Sequence, residues 1–301
     1  MLLDGKVALV TGAGRGIGRA IAVAMAAEGA AVIVNDFGGT ERGDGPDDSV
    51  ASGVVAEIRA AGGRAIAAGE SVADSKAVNS MIARGIAEFG RLDIVVNNAG
   101  ILRDAIFHKM TEDDWDAVIG VHLKGSFNTS LAAARIFREQ GGGHFVHMTS
   151  TAGLIGAVGQ ANYAAAKMGI LGLSRSIAMD MERFNVRSNC IAPFAWSRLV
   201  GTVPAMTGAE AHKLEQMKAM TPEKIAPLAI ALSAEGAKVT GQVFAVRNNE
   251  IFLMGQSRPL RSAHTGEGWT PNTVLSRVLP AFKGSFYPLE RGRDVFCWDP
   301  F

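Results

Sequence analysis

Thr11-Gly12-Ala13-Gly14-Arg15-Gly16-Ile17-Gly18 is the stretch on which the reading of this chain turns. It follows a short apolar run, residues 7–10, and leads into a helical pattern that reaches about Ala27. Glycines at this spacing let the backbone reverse tightly and bring helix close to strand, and they leave the N–H groups of the helix start open to an anion. Alone, such a run is an ordinary strand-to-helix turn. Between a strand and a helix it reads as a cradle for a pyrophosphate.

Working outward, residues 31–35 form a second strand whose unbroken apolar pattern predicts burial on both faces. It ends in Asp36, 18 residues past Gly18, where a carboxylate can accept both hydroxyls of an adenosine ribose. The same charge repels a 2′-phosphate, so the expected cofactor is NAD. Arg15 pulls the other way, since it can pair with a phosphate, and it also reads as a solvated loop arginine. Residues 64–68, 92–96, 145–148, 186–191 and 241–246 read as further strands. Helical stretches at 49–61, 74–89, 111–138 and 160–183 alternate with them. This predicts one α/β domain over residues 1–254, a Rossmann-type doubly wound parallel sheet, followed by a C-terminal extension over 255–301. The loop 37–48 carries four glycines and three aspartates and reads as a flexible surface connection. The extension, rich in Arg, Pro, Gly and Ser, reads as an ordered wrap or a partly mobile arm.

Composition narrows the function classes. The 301 residues are 48% hydrophobic and 20% charged, enough to bury a large core, and the net charge of +1 offers no field to attract nucleic acid or an anionic membrane. Two cysteines, Cys190 and Cys297, cannot build a disulfide framework and point to a reducing, cytoplasmic setting. The apolar run at 7–10 is too short for a signal peptide or a membrane span. No metal site is expected: His144 and His147 lie three apart on a strand and so face opposite ways.

Tyr163 and Lys167 are four residues apart on a predicted helix and therefore share a face. Taking the proton from an alcohol while hydride leaves its carbon needs a base. A phenol of ordinary pKa, about 10, is too weakly ionised for that, and a nearby ammonium is expected to lower it. Ser150, ending the fifth strand, is placed to bond the substrate oxygen. With ten lysines in the chain the pair arises by chance at roughly one tyrosine in thirty. The order of motifs carries the case: the glycine turn, Asp36, Asn97-Asn98-Ala99-Gly100, Ser150, then Tyr163 and Lys167. The two asparagines read as ties between strand ends beside the cofactor.

In that order, over about residues 4–250, the chain resembles the short-chain dehydrogenase/reductase family. Val34-Asn35-Asp36-Phe37-Gly38-Gly39 with its long loop, Asn98 through Asp104, Val121-His122-Leu123-Lys124-Gly125-Ser126-Phe127 and Gly159-Gln160-Ala161-Asn162-Tyr163 are similar to its (3R)-hydroxyacyl-CoA dehydrogenase group, part of the type 2 peroxisomal multifunctional enzymes. The resemblance implies that Ser150, Tyr163 and Lys167 are catalytic. It implies a cofactor site of Gly12, Arg15, Gly16, Ile17, Gly18, Asp36, Asn98, Gly100, Tyr163, Lys167 and Pro193, with Ser71 and Val72 against the adenine. His122 stands where most members place an asparagine of a proton relay, and its other reading is a helix histidine with a satisfied backbone partner. Pro193-Phe194 replaces the usual Pro-Gly, and Ala195-Trp196-Ser197-Arg198 follows, which puts bulk near the substrate. Residues 200–220, with Met206, Lys213, Leu214, Met217, Lys218 and Met220, read as a lid or as an ordinary amphipathic helix. The chain lacks the hydratase and sterol-carrier portions of the multifunctional enzymes and is expected to work alone, as a homodimer or homotetramer built through 111–138 and 160–183. The expected substrate is a (3R)-3-hydroxyacyl-CoA. Alternatives are a hydroxysteroid or other free cyclic alcohol and, in another class, a non-catalytic NAD-binding sensor.

Overall fold

The computed structural model describes residues 1–195, 215 and 217–300. Its strands are β1 (Val7–Thr11), β2 (Ala31–Asn35), β3 (Arg64–Ala68), β4 (Ile94–Asn97), β5 (Gly143–Met148), β6 (Val186–Phe194), β7 (Val243–Arg247) and β8 (Glu250–Leu253). They form one sheet in the order β3-β2-β1-β4-β5-β6-β7-β8. The first seven are parallel and β8 returns antiparallel to β7. The chain begins in the middle, with β1 between β2 and β4, so the carboxyl ends of β1 and β4 flank the point where strand order reverses. Ligands of open α/β sheets bind at that point.

The helices that place the site are α1 (Gly16–Ala27), α2 (Asp48–Ala60), α3 (Ser75–Phe89), α4 (Glu112–Ile119), α5 (Gly125–Gln140), α6 (Thr151–Leu154) and α7 (Ala161–Met181). On one face of the sheet Ile21 and Met25 of α1, Val54 and Ile58 of α2 and Ile230 of the helix Ala226–Ser233 cover Val32 and Val34 of β2 and Ile94 and Val96 of β4. On the other, Met81 and Ile82 of α3 and Phe137 of α5 close over Leu9, Ile33 and Phe145. Every residue of β1 and β2 is buried, as a parallel sheet covered twice requires. Among the described residues no helix is long and apolar enough to cross a membrane.

Several elements depart from the sequence reading. The stretch 111–138 is helical throughout but is α4, a π turn at Gly120–Lys124, then α5. β6 runs past 191 to Phe194, because Pro193 and Phe194 continue the ladder against Val246 and Arg247. β8 escapes the sequence because its residues alternate only between half-buried and exposed. The Asn248-Asn249 turn, with Asn248 at φ +56°, folds it back. The extension is ordered where it meets this hairpin. Phe296 is buried among Phe194, Phe252 and Trp298, and Arg247 lies over the Trp298 ring and bonds its carbonyl.

His144 and His147 do face opposite ways, His144 to the Leu232 carbonyl and His147 into a polar seam under the other face. There the Asn97 amide donates to His147 Nδ1 (3.1 Å), which leaves Nε2 protonated toward Ser188 (3.2 Å), itself bonded to Ser174. Burial, with a smaller push from Lys167, holds the His147 pKa down at about 3. The folded state therefore keeps this ring neutral while the unfolded chain protonates it below about 6.5. Stability from this group is complete above pH 6.5 and is lost as pH falls toward 3, by about 1.4 kcal/mol per pH unit. Urea unfolding between pH 7 and pH 5 should show that decline, and His147→Gln, though less stable at pH 7, should show a slope shallower by about one proton. Equal slopes would contradict it.

Candidate active site

The glycine turn is fastened to β4. Asn98 Nδ2 donates to the carbonyls of Thr11 and Gly12, both at 3.0 Å, and Thr11 Oγ1 accepts the N–H groups of Asn98 and Ala99. Gly12 is required on two counts: its φ is +61°, and a Cβ there would sit 2.8 Å from Ala99 Cα. Gly18 has no room for a Cβ against the Gly12 carbonyl. Gly16, at φ +52°, opens instead onto free space. Among the described residues no side chain caps the start of α1, and its first turn holds no acid. Free helix-start donors beside an open glycine fit a pyrophosphate, whose charge the helix dipole favours. Ile17 is half-buried behind them.

Asp36 is half-buried at the end of β2, with Oδ2 accepting from Gly14 N (2.8 Å) and Oδ1 from Gly38 N (2.7 Å). Each oxygen keeps a lone pair for a ribose hydroxyl. Arg15 is exposed and donates to the Gly39 carbonyl. Val72 is buried, and its carbonyl accepts from Asn128, while Ser71 Oγ accepts from Ala73 N. Pro193 lies on β6 one residue before its end.

Ser150, Tyr163 and Lys167 come together at the carboxyl end of β5. Ser150 caps α6, and α6 lies directly on α7: a Cβ on Gly153 would stand 2.8 Å from Met168 N. That contact sets Ser150 beside the Tyr163 phenol, close enough that its hydroxyl pulls the phenol's pKa down. Lys167 is buried and donates to the Met148 carbonyl at 2.7 Å, with Nζ 5.4 Å from the centre of the Tyr163 ring. Burial brings its pKa down to about 7.

The expectation that this ammonium lowers the tyrosine pKa is corrected by the geometry. Burial raises the Tyr163 pKa; the Ser150 bond opposes that rise and Asp104 adds to it. Desolvation is the largest influence on the phenol, and the Lys167 hydrogen bond goes to Met148.

His122 sits on the π turn, buried, edge-on to Tyr163 with ring centres 5.2 Å apart. Nε2 bonds the Ile101 carbonyl at 2.8 Å, and Nδ1 has no hydrogen-bond partner among the described residues. Nε2 also faces the Ile101 N–H at 3.1 Å, and burial with the Lys167 charge holds the His122 pKa at about 3, so the ring is neutral. Gly100 must be glycine, because a Cβ would enter the His122 ring.

Sequence reasoning assigns no role to Thr11 or Asn162, yet both hold the site. Asn162 Oδ1 accepts from Tyr163 N (2.7 Å), and its amide donates to the carbonyls of Arg103 and Asp114. An asparagine opening a helix is the one signal that marks it. Trp196, Ser197, Arg198 and, of the expected lid, Met206, Lys213 and Leu214 lie outside the described residues. Lys218 pairs with Glu215.

The model of the family described as short chain dehydrogenase matches residues 6–197. The chain is 44% identical over 257 residues to the peroxisomal multifunctional enzyme type 2 of Mus musculus, covering 85% of this chain and 34% of that protein. It is 38% identical over 296 residues to the hydroxyacyl-CoA dehydrogenase ChsB1 of Mycobacterium tuberculosis, covering 94% and 90%. A solved short chain dehydrogenase from Mycobacterium avium superposes with a TM-score of 0.83 at 40% identity, covering 97% of this chain and 99% of that one. The chain thus spans about a third of the length of the multifunctional relatives and nearly all of the others. With the glycine turn, the Asn98 tie and the Ser150, Tyr163 and Lys167 group in one cleft, the chain belongs to the short-chain dehydrogenase family.

Proposed function

We propose that this protein is an NAD-dependent (3R)-3-hydroxyacyl-CoA dehydrogenase. The observation that carries the reaction is the meeting of Ser150, Tyr163 and Lys167 beside the glycine turn at the strand-order reversal. The substrate class rests on relatives: one named as a hydroxyacyl-CoA dehydrogenase matches over 90% of its length, and multifunctional peroxisomal enzymes match over about a third of theirs. The cytoplasm remains the compartment we assign, on the two free cysteines. A homodimer or homotetramer is supported by the exposed Phe127 and Leu131 of α5 and Met168 of α7.

Gly12, Gly16, Ile17, Gly18 and Asn98 would hold the pyrophosphate, Asp36 the adenosine ribose, Val72 and Ser71 the adenine, and Lys167 and Pro193 the nicotinamide end. Bound NAD supplies a hydride acceptor for the carbinol carbon, and its reduced form a donor to the ketone. Tyr163 handles the proton at its phenol oxygen. With its pKa raised, it is protonated at neutral pH and poised to give that proton to a ketone being reduced. To serve oxidation it must first ionise, helped by the Ser150 hydroxyl, which also donates to the substrate oxygen as charge develops there. His122 stands edge-on to Tyr163 at the relay position, with Nδ1 unpartnered among the described residues. A second reading, a free cyclic alcohol as substrate, is favoured by the aromatic cluster of Phe194, Phe296 and Trp298 at the end of β6.

NADH formation with 3-hydroxyacyl-CoAs of both hands, a hydroxysteroid and a simple cyclic alcohol separates these readings. Turnover confined to the (3R) thioester is expected, and steroid turnover with the thioesters inert would discard the substrate assignment. Tyr163→Phe should cut turnover by roughly 10²- to 10⁴-fold while NAD binding persists. Oxidation should accelerate from pH 6 toward pH 9 as phenolate becomes available, and reduction should not; a flat oxidative profile would remove Tyr163 as the titrating base. Asp36→Asn should lower the preference for NAD over NADP, read as the ratio of kcat/KM values, since the repelling charge is gone.

A further inference from the structure

The loop 37–48, expected to be a flexible connection, is folded and tied at both ends. It leaves β2 on one side of β1, and its tip bonds the segment that follows β4 on the other. It therefore crosses the carboxyl end of β1, where the glycine turn lies, and the Arg15 bond to the Gly39 carbonyl marks the crossing.

The two ends are held differently. At the root, Asp36 takes the Gly38 N–H, Asp47 N donates to the Phe37 carbonyl, and Gly38, at φ +79°, is pressed against the Asp47 backbone. At the tip, Leu102 N donates to the Glu41 carbonyl (3.0 Å) and Arg103 Nε to the Arg42 carbonyl (3.2 Å). Ion pairs add to these among the described residues: Arg103 with Asp44 at 3.6 Å and Asp113 at 3.2 Å, and Arg42 with Asp114 at 3.4 Å, while Gly43 lies against the Ile101 side chain. Both partners of Arg103 are well exposed, at 68% and 93%, so salt screens these pairs. The Arg103 side chain is only 16% exposed, and its carbonyl is held by Asn162, the residue before Tyr163. Arg103 stands on the rigid side and the loop tip is the part that can leave.

We propose that residues 37–47 form a strap over the dinucleotide and that Arg103, a positioning residue, is its clasp: cofactor enters and leaves when the ionic tip releases. This rests on the reading of the glycine turn as the dinucleotide site. A clasp differs from a cofactor contact in its kinetics. Opening a gate speeds association and dissociation together, whereas losing a contact speeds dissociation alone.

The test is stopped-flow fluorescence of NADH binding and displacement on the whole chain, at low salt and at about 0.5 M salt. In Arg103→Ala both rates should rise on the order of tenfold at low salt, the loss of about 1.4 kcal/mol of fastening. Wild-type rates should rise with salt and those of the variant should not, and Arg103→Lys should fall between. Arg42→Ala, a change at an exposed side chain, removes one pair without disturbing the interior and should move both rates in the same direction. Unchanged rates in both alanine variants, or faster dissociation alone, overturn the strap while NADH still binds. Failure of the wild type to bind NADH overturns the cofactor reading beneath it.

Discussion

The Asn98 carboxamide bonded to the Thr11 and Gly12 carbonyls is the constraint on which the site depends. β1 and β4 are hydrogen-bonded neighbours along Ala8 to Val10, but their carboxyl ends diverge, because one chain must turn into α1 and the other must run on toward α4. Left alone, two carbonyls at that fork would face a cleft with no donor, each a desolvated acceptor costing about 1–3 kcal/mol. Asn98 supplies both bonds from one side chain. That fixes the glycine turn at a set height above the sheet, where Gly12 and Gly18 already admit no Cβ. The uncapped start of α1 is then aimed outward without depending on a ligand to place it.

A second constraint is the burial of Lys167. Among the described residues its ammonium has one hydrogen-bond acceptor, the Met148 carbonyl, and burial brings its pKa down to about 7. Tyr163 meets the same low-dielectric surroundings and keeps its proton more tightly. The two shifts run in opposite directions from one cause. Both shifts favour the neutral form, so burial leaves each group less readily charged than its free counterpart. His122 and His147, both held neutral around the same lysine, extend this rule to the whole seam beneath α7.

Much of this was legible in the sequence because the chemistry that decides it is local. Glycine spacing, the acid after β2 and a tyrosine–lysine pair one helical turn apart each act within a few residues. The parallel core was legible for the same reason, since strands buried on both faces are apolar throughout. What escaped either lacks a buried face or depends on partners far along the chain. β8 is half exposed and is defined by the Asn248-Asn249 turn and by pairing with β7. The upward direction of the Tyr163 shift comes first from burial, which distant elements packed around α7 create. Gly100 reads as part of a loop motif, but its need for hydrogen at Cα comes from His122, 22 residues on.

Asn162 explains why these distant dependencies still yield one geometry. Its carboxamide ties the first turn of α7 to Arg103 in the loop after β4 and to Asp114 in α4, while its oxygen takes the Tyr163 N–H. The same loop is bonded at Ile101 to His122 and at Leu102 to the Glu41 carbonyl of the strap. A shift of that loop by one hydrogen-bond length would therefore move the strap, the histidine and the tyrosine together. Because β4 is a central strand paired on both sides, the loop has little freedom to make that shift. The cofactor side and the proton-transfer side of the cleft are thus referenced to one rigid element, and the strap tip, held by ion pairs and two backbone bonds, is the part with freedom to move.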